Sequence, residues 1–283
     1  MGILPNTSLR SVGVGRRKQK RKLPVATDDL IYDIRDGIGH VVFNRPAARN
    51  AFTIAMYTEL ADICAGTPTD GSVKAIIIRG AGDKAFAAGT DISLFKDFSP
   101  EKGVEYEKGA ERYFAAVSKC PLPTIAAIAG ACTGGGAGIA GCCDMRIAAR
   151  DLKFGFPISR TLGYTLSADT LSRLVGLIGE AKVIDLIYTS RLIEADEALQ
   201  IGLVNELQDD CDAVMERAWA LASRLKQHAP LTMRSIKTIL RRLREAQPKI
   251  DDTDVIGEVY GSDDFREGME AFLAKRRPNW TGR

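Results

Sequence analysis

Residues 124–141 read TIAAIAGACTGGGAGIAG, and this uncharged stretch is the most informative part of the chain. Its first six residues, Thr124 to Ala129, predict a strand that is covered on both faces. The glycine run from Gly134 to Gly136 then predicts a turn into a helix of small residues. A membrane-spanning helix needs about 20 predominantly apolar residues, and the glycines leave too few large apolar side chains for that. We therefore expect a buried strand, a glycine turn and a tightly packed helix.

Three interpretations of the glycine run remain open. Glycines at the start of a helix leave backbone N–H groups exposed and let a ligand approach closely. Gly136, Gly138 and Gly141 fit the dinucleotide pattern G-x-G-x-x-G, but no acidic residue follows at about 20 positions to bind a ribose. The N–H groups could instead form an oxyanion hole for a thioester. The glycines could also serve only close packing of a helix on a strand.

A second glycine element favours the oxyanion hole. Residues 85–92 read AFAAGTDI and follow another apolar run, Val73 to Arg79, which also predicts a buried strand. This element again exposes backbone N–H groups beside a small residue. Two such elements could converge on one carbonyl oxygen.

The flanking sequence predicts one α/β domain with a helical C-terminal extension. Ile31–Arg35 and His40–Asn44 form a predicted hairpin around Asp36-Gly37. Thr53 is a predicted N-cap for a helix that extends to Cys64. A further helix is expected over residues 104–119, and beyond residue 170 the pattern is helical almost throughout. Strand–helix alternation followed by helices is typical of the α/β class.

Composition excludes several classes of protein. The 283 residues are 45% apolar and 27% charged, as in a soluble globular protein. Six cysteines without a C-x-x-C pair indicate reduced thiols in a cytoplasmic protein, and two histidines are too few for a histidine-based metal site. Residues 1–22 carry seven basic side chains and no acid, so the rest of the chain has a net charge of −4. This basic segment predicts either a disordered tail or a targeting or anion-binding role, and the acidic body argues against a broad nucleic-acid surface.

The chain resembles the enoyl-CoA hydratase/isomerase (crotonase) family across residues 28–283. The resemblance rests on six motifs taken together and in order. They are Asn44-Arg45-Pro46 with Asn50-Ala51, the residues 85–92, Ala129-Gly130 with Gly134-Gly135-Gly136, residues 143–148 (CDMRIA), residues 154–157 (FGFP) and residues 265–276 (FREGMEAFLAKR).

The resemblance implies a spiral of ββα units, homotrimers or dimers of trimers, and acyl-CoA thioester substrates without a separate cofactor. It implies that the thioester oxygen is held by the backbone N–H groups of Thr90 and Gly135. The remaining substrate contacts that we carry over are Ala51, Ala88, Asp91, Ile92, Gly134 and Ile158, with Phe272 and Lys275 reaching a coenzyme A from a neighbouring subunit. We divide the chain into a basic tail (1–27), a spiral core with the coenzyme A site (28–220), and a C-terminal oligomerisation and lid region (221–283).

This sequence departs from the family at both hydratase glutamates. The alignment on the glycine run puts the first at Gly138, and the alignment on residues 154–157 puts the second at Ile158. Neither side chain transfers protons, so hydration by the usual glutamate pair is not available. The loop of residues 163–169 carries a carboxylate in dienoyl-CoA isomerase relatives, which makes Asp169 the leading substitute.

Each candidate side chain also has a purely structural interpretation. Asp169 could stabilise the first turn of a helix capped by Ser167. Arg160 could neutralise an anionic acyl group or form a scaffold ion pair, and Tyr164 could donate to a substrate carbonyl or simply pack. Glu107 and Glu111 lie four residues apart on one helix face, near the presumed pocket wall, and are most simply a solvated pair.

Three hypotheses follow for function. The first is an enzyme that acts through an enolate, by isomerisation rather than hydration, with Asp169 as base. The second is a non-catalytic acyl-CoA-binding homologue, because both glutamates are absent. The third is anion or RNA binding through the basic tail, and for the protein as a whole we expect no membrane and no nucleic-acid partner.

Overall fold

The computed structural model describes residues 28–96, 98–246 and 248–283. The predicted basic tail, residues 1–27, lies outside the described residues. Within them the strands are β1 (Leu30–Arg35), β2 (Ile38–Phe43), β3 (Ala75–Gly80), β4 (Ala85–Ala88), β5 (Thr124–Ile128), β6 (Ala131–Thr133), β7 (Met145–Ala149), β8 (Lys153–Gly155), β9 (Ile193–Glu194) and β10 (Glu206–Gln208).

The helices alternate with the strands up to β10, and the described residues after β10 form only helices and loops. They are α1 (Ile54–Gly66), α2 (Pro100–Lys119), α3 (Gly135–Cys142), α4 (Ile158–Thr161), α5 (Ala168–Ile178), α6 (Glu180–Thr189), α7 (Ala195–Gln200), α8 (Cys211–Leu225), α9 (Pro230–Glu245), α10 (Thr253–Gly261) and α11 (Asp263–Leu273). Short 3₁₀ helices cover Pro46–Ala48 and Ile92–Phe95. No helix in the described residues is long and apolar enough to cross a membrane.

Successive ββα units build two sheets. The larger sheet has the order β1-β2-β3-β5-β7-β10, with β1 and β2 antiparallel and the other pairs parallel. The smaller sheet has the order β4-β6-β8-β9, in which only β8 and β9 are antiparallel. In three consecutive units the first strand joins the larger sheet and the second strand joins the smaller one. This alternation confirms the expected spiral.

The predicted hairpin and first helix are confirmed. Asp36 and Gly37 both have positive φ, 50° and 70°, which is the turn geometry that matches the twist of two paired strands. The hydroxyl of Thr53 accepts a hydrogen bond from the backbone N–H of Met56 and so caps α1.

Apolar packing explains why β3 and β5 are continuous hydrophobic runs. One face of the larger sheet meets a core that includes α1 and α3, and its other face is covered by α8. Strands buried on both faces have no solvent side on which to place polar residues.

The C-terminal helices fold back onto the chain's own core. Helix α10 packs along α2, and Gly103 of α2 lies directly under the ring of Tyr260, where any Cβ would overlap it. Helix α11 approaches α4 closely because Gly268 lies against the backbone of Leu162. By contrast, α9 buries none of its residues.

Candidate active site

The glycine turn before α3 leaves the backbone N–H of Gly135 without an acceptor in the described residues. Gly134 is the N-cap of α3 with φ 51° and ψ −121°, a conformation that favours glycine. Gly135 is then the first residue of the helix, and its N–H has no intrahelical partner. Gly136 serves a different purpose, because a Cβ there would overlap the carbonyl oxygen of Ala87 in β4. The run therefore combines a free donor with close helix–strand packing.

The second glycine element leaves another free N–H beside the first. The N–H of Phe52 donates to the carbonyl of Gly89 (2.9 Å), and the N–H of Asp91 donates to the carbonyl of Phe52 (2.8 Å). This pattern passes over Thr90, whose own N–H finds no acceptor among the described residues, and the same holds for Gly135. A Cβ on Gly135 would come within 3.2 Å of the Thr90 hydroxyl oxygen, so the two elements lie side by side.

A narrow cavity opens at this point. Its volume is about 20 Å³, enough for a water molecule. Aromatic and small side chains form most of its wall, together with a single carboxylate. We call this site the cavity, and its walls are Tyr57, Tyr106, Glu107, Ala110, Phe114, Gly134, Gly135, Phe156, Tyr164, Leu166 and Thr170.

The carboxylate of the cavity is Glu107, on α2. Its residue is only 4% exposed, and its Oε1 accepts a hydrogen bond from the hydroxyl of Tyr260 on α10 (2.8 Å). Burial raises the pKa of Glu107 to about 7, against the opposing effect of hydrogen bonds from Tyr260 and from the backbone of Ser167. A group with that pKa is present in both protonation states near neutral pH. The prediction that Glu107 belongs to a solvated pair is wrong, because α10 covers it.

Asp169 lies in a different depression. We call it the charged cleft; its volume is about 510 Å³ and its walls are Glu111, Arg112, Ala115, Lys119, Ala168, Asp169, Ser172, Arg173, Arg244, Glu245, Pro248, Lys249 and Ile250. The side chain of Asp169 is 49% exposed and forms an ion pair with Arg173 at 3.1 Å. The Ser167 hydroxyl caps α5, as expected, so Asp169 occupies the first helical turn. The structure does not bring Asp169 to the cavity.

The residues carried over for coenzyme A lie in the second glycine element and in the segment that pairs with it. Ala51 and Ala88 are partly buried, and the N–H of Ala88 donates to the carbonyl of Arg49. Asp91 accepts from the N–H of Ser93 and pairs with Arg45 at 3.0 Å, so it stabilises the turn that begins at Ile92.

The other carried-over residues divide between buried and exposed positions. Tyr164 lines the cavity and Ile158 is 4% exposed in the core. Arg160 is exposed on α4 and lines neither the cavity nor the charged cleft. Phe272 is 46% exposed at the end of α11, and Lys275 is exposed just beyond it.

Gly138, where the family alignment predicts the first hydratase glutamate, has no room for a side chain. A Cβ on Gly138 would lie 2.5 Å from the ring of Phe114. The space that a side chain at this position would need is therefore filled by an aromatic wall of the cavity. Among the described residues no cluster of three or more histidine, cysteine or acidic side chains could hold a metal ion.

The sequence analysis placed Glu107 near the pocket wall but did not expect its burial, and it missed Tyr57. Glu107 lies three and seven residues before Ala110 and Phe114, so it falls on the apolar face of α2, and this spacing was the available signal. Tyr57 lies on the buried face of α1 with Met56 and Leu60, and nothing in the sequence distinguishes it from an ordinary core residue.

Comparisons with known proteins show the family to which this fold belongs. The family model for enoyl-CoA hydratase/isomerase matches residues 33–283. The chain belongs to this family. It is 33% identical over 261 residues to a crotonyl-CoA hydratase from Syntrophomonas wolfei, covering 90% of this chain and 99% of the relative. It is therefore an acyl-CoA enzyme with a crotonase fold, as the resemblance implied.

Relatives with other reactions are also similar to the chain. It is 30% identical over 250 residues to the mitochondrial Delta(3,5)-Delta(2,4)-dienoyl-CoA isomerase of Rattus norvegicus, covering 82% of this chain and 76% of the relative. A solved structure of methylmalonyl-CoA decarboxylase in complex with 2-nitronate-propionyl-CoA superposes with a TM-score of 0.83 at 26% identity, covering 91% of this chain and all of that one. Family membership therefore leaves the specific reaction open.

Proposed function

We propose that this protein performs enolate chemistry on an acyl-CoA thioester, by double-bond isomerisation rather than hydration. The observation that carries the proposal is the single buried carboxylate of the cavity. Glu107, with a pKa of about 7, shares the cavity walls with Gly134 and Gly135. One carboxylate that both accepts and returns a proton is sufficient for isomerisation.

The free N–H groups of Thr90 and Gly135 are the proposed oxyanion hole. They lie side by side, and neither has an acceptor among the described residues. Donors held in place before the reaction stabilise the negative charge that develops on the thioester oxygen as the enolate forms. Their cost in reorganisation is small because the backbone is fixed by the bonds of Phe52 and by the start of α3.

Glu107 is the proposed acid/base in preference to Asp169. Glu107 lies on the cavity wall, whereas Asp169 faces the charged cleft and is paired with Arg173. In the first step Glu107 takes a proton from the α-carbon, which lies between the thioester carbonyl and the double bond, and the electron pair of that C–H bond moves to the thioester oxygen. In the second step Glu107 returns the proton at the other end of the allylic system.

Hydration requires a second acid/base group, and the cavity offers none. Gly138 and Ile158 stand at the two glutamate positions, and Phe114 fills the space beside Gly138. These features favour isomerisation over hydration.

Decarboxylation is a second candidate, favoured by the high TM-score with methylmalonyl-CoA decarboxylase. Loss of carbon dioxide from the carbon next to the thioester also generates an enolate, and it needs no base. Glu107 in its protonated form would then supply the proton that ends the reaction. A non-catalytic acyl-CoA binder has no use for a carboxylate with a raised pKa, so the cavity disfavours that alternative.

Coenzyme A is the part of the substrate by which we propose that the protein binds it, and no separate cofactor is proposed. Ala51, Ala88 and the turn at Asp91–Ile92 lie next to Thr90 and would contact its adenine and pantetheine parts. The exposed Phe272 and Lys275 would contact the coenzyme A of a neighbouring subunit. A homotrimer, or a dimer of trimers, is supported by an exposed apolar stripe on α9 formed by Ile236, Ile239, Leu240 and Leu243.

Deuterium exchange tests the enolate without knowledge of the natural acyl group. Butyryl-CoA is incubated in D₂O, and exchange of its α-protons is followed by NMR. We expect wild-type exchange, a loss of 10²–10⁴-fold in Glu107→Gln, and no loss in Asp169→Asn. Exchange that depends on Asp169 and not on Glu107 would reverse the assignment of the base.

Product assays then separate the reactions. Crotonyl-CoA loses its conjugated absorbance on hydration, whereas trans-3-hexenoyl-CoA gains it on isomerisation, and methylmalonyl-CoA releases carbon dioxide on decarboxylation. We expect a gain with trans-3-hexenoyl-CoA and no loss with crotonyl-CoA. Rapid hydration of crotonyl-CoA would contradict the proposal.

A further inference from the structure

Three hydroxyl groups form a chain beside the two free N–H groups. The Oγ1 of Thr90 lies 2.9 Å from the hydroxyl of Tyr57 and 2.8 Å from the hydroxyl of Tyr106. Tyr57 comes from α1, Tyr106 comes from α2, and Thr90 comes from the loop after β4. Three separate elements thus bring their hydroxyls within hydrogen-bond distance of one another through Thr90.

The hydroxyl chain carries one proton more than its internal hydrogen bonds use. Three hydroxyls carry three protons, and the two hydrogen bonds between them use only two. In each bond either oxygen can be the donor, so the direction of the chain is reversible. No further acceptor for these hydroxyls is found in the described part of the protein. The third O–H is therefore available to a ligand.

The Tyr57 end of the chain lies against Gly135. A Cβ on Gly135 would overlap the Tyr57 hydroxyl and would come within 3.2 Å of the Thr90 Oγ1. Only glycine at position 135 allows this approach. The hydroxyl is consequently in contact with the residue whose N–H is one of the two proposed oxyanion donors.

The position of the Tyr57 hydroxyl oxygen is fixed by the packing of its ring. The ring stacks on Phe52 with 4.4 Å between the ring centroids and an interplanar angle of 13°. It also stacks on Tyr113, with 5.3 Å between the centroids and an angle of 7°. Tyr57 is 1% exposed, so its side chain has no room to rotate away. A donor that is held in this way needs no rearrangement when charge develops nearby.

We propose that the Tyr57–Thr90–Tyr106 hydroxyl chain is a third hydrogen-bond donor to the thioester oxygen, in addition to the N–H groups of Thr90 and Gly135. This inference rests on the proposed function and deepens it. Its consequence is that the enolate oxygen is held by an O–H as well as by two N–H groups. Loss of one such donor typically reduces turnover by about 10²–10³-fold.

The test is the carbonyl ¹³C chemical shift of bound [1-¹³C]butyryl-CoA, which moves downfield when the carbonyl is polarised. Tyr57→Phe removes the hydroxyl and keeps the stacked ring. Tyr113→Phe is the matched control, because Tyr113 stacks on the same ring but its hydroxyl is outside the chain. Thr90→Val breaks the chain at its centre, whereas Thr90→Ser retains the hydroxyl.

We expect the downfield shift in wild type, Tyr113→Phe and Thr90→Ser, and a reduced shift in Tyr57→Phe and Thr90→Val. The α-proton exchange rate of Tyr57→Phe should fall by at least tenfold. An unchanged carbonyl shift in Tyr57→Phe would overturn the third donor and leave the two N–H groups intact. Failure of wild type to bind butyryl-CoA would refute the proposed function itself.

Discussion

The cavity and the charged cleft are lined by the same two helices, but their carboxylates differ in burial and in their partners. Both are lined by α2 and α5, yet Glu107 faces one and Glu111, a single turn later, faces the other. In the cavity burial raises the pKa of Glu107 to about 7. In the charged cleft Asp169 is half exposed and paired with Arg173.

This contrast between Glu107 and Asp169 shows that the chemistry of a carboxylate depends on what covers it. Asp169 lies on the element that sequence reasoning selected, but its side chain points to solvent and cations. Glu107 looks like a surface residue of a charged helix, but α10 covers it and Tyr260 binds it. A helix turns about 100° per residue, so Thr170 reaches the cavity where Asp169 does not.

The largest expected difference between the two sites is in the pH dependence of stability. Burial raises the pKa of Glu107 from 4.5 to about 7, so between these pH values the folded protein retains a proton that the unfolded chain has released. This contribution to stability is fully present below pH 4.5 and is lost as the pH rises to about 7. Relative to wild type, Glu107→Gln should therefore gain up to about 3 kcal/mol in free energy of unfolding over this interval.

Chemical unfolding at several pH values between 4.5 and about 8 measures this gain. Asp169→Asn is the control, and its stability relative to wild type should stay nearly constant because its carboxylate is exposed. A constant difference between Glu107→Gln and wild type would show that Glu107 is not desolvated.

The cover of the cavity depends on Gly103. Gly103→Ala places a Cβ in the ring of Tyr260 and should lower the free energy of unfolding by about 1–3 kcal/mol, because α10 must move away from α2. Gly109→Ala is the matched control on the same helix, since its Cβ would have no neighbour closer than 3.9 Å. That variant should be more stable than wild type by up to about 1 kcal/mol. Equal effects of the two substitutions in thermal unfolding would argue against the close packing of α10.

Tyr260 changes the pKa of Glu107 and takes no part in the reaction itself. Its hydrogen bond favours the carboxylate and so lowers the pKa of Glu107, against the effect of burial. Tyr260→Phe should raise the midpoint of the pH profile of α-proton exchange by about one pH unit, the equivalent of a ~1.4 kcal/mol hydrogen bond to a charged group. An unshifted midpoint would remove Tyr260 from this role.

The smallest effect is expected in the charged cleft. The Asp169–Arg173 pair is partly exposed, and such pairs contribute less than about 1 kcal/mol. Asp169→Asn should lower the free energy of unfolding by no more than that, and the difference should shrink in about 1 M salt. A larger loss that persists in high salt would indicate a buried role for Asp169.

The sequence predicts the fold well because the fold depends on local signals. The Asp36-Gly37 turn, the Thr53 cap and the buried runs of β3 and β5 all appear as expected. The glycine run also predicts a turn into a helix, because glycine adopts the positive φ found at Gly134 without steric cost. These features depend on residues that are neighbours in the chain.

Glu107, the proposed base, could not be predicted as such because its environment is assembled from distant segments. Glu107 acquires its pKa from Tyr260, which follows it by 153 residues. Phe114 closes the space at Gly138 through a contact between α2 and α3 that no local pattern encodes. The apolar spacing of Glu107 with Ala110 was the one local sign.

The most direct test of the account is the pH profile of α-proton exchange in butyryl-CoA, measured for wild type, Glu107→Gln and Asp169→Asn. Exchange needs ionised Glu107, so its rate should rise with pH to a plateau, with a midpoint near the pKa of about 7. Asp169→Asn should give the same profile, and Glu107→Gln should lose the rise. A wild-type profile that survives in Glu107→Gln, or one that moves in Asp169→Asn, would contradict the assignment of the cavity as the catalytic site.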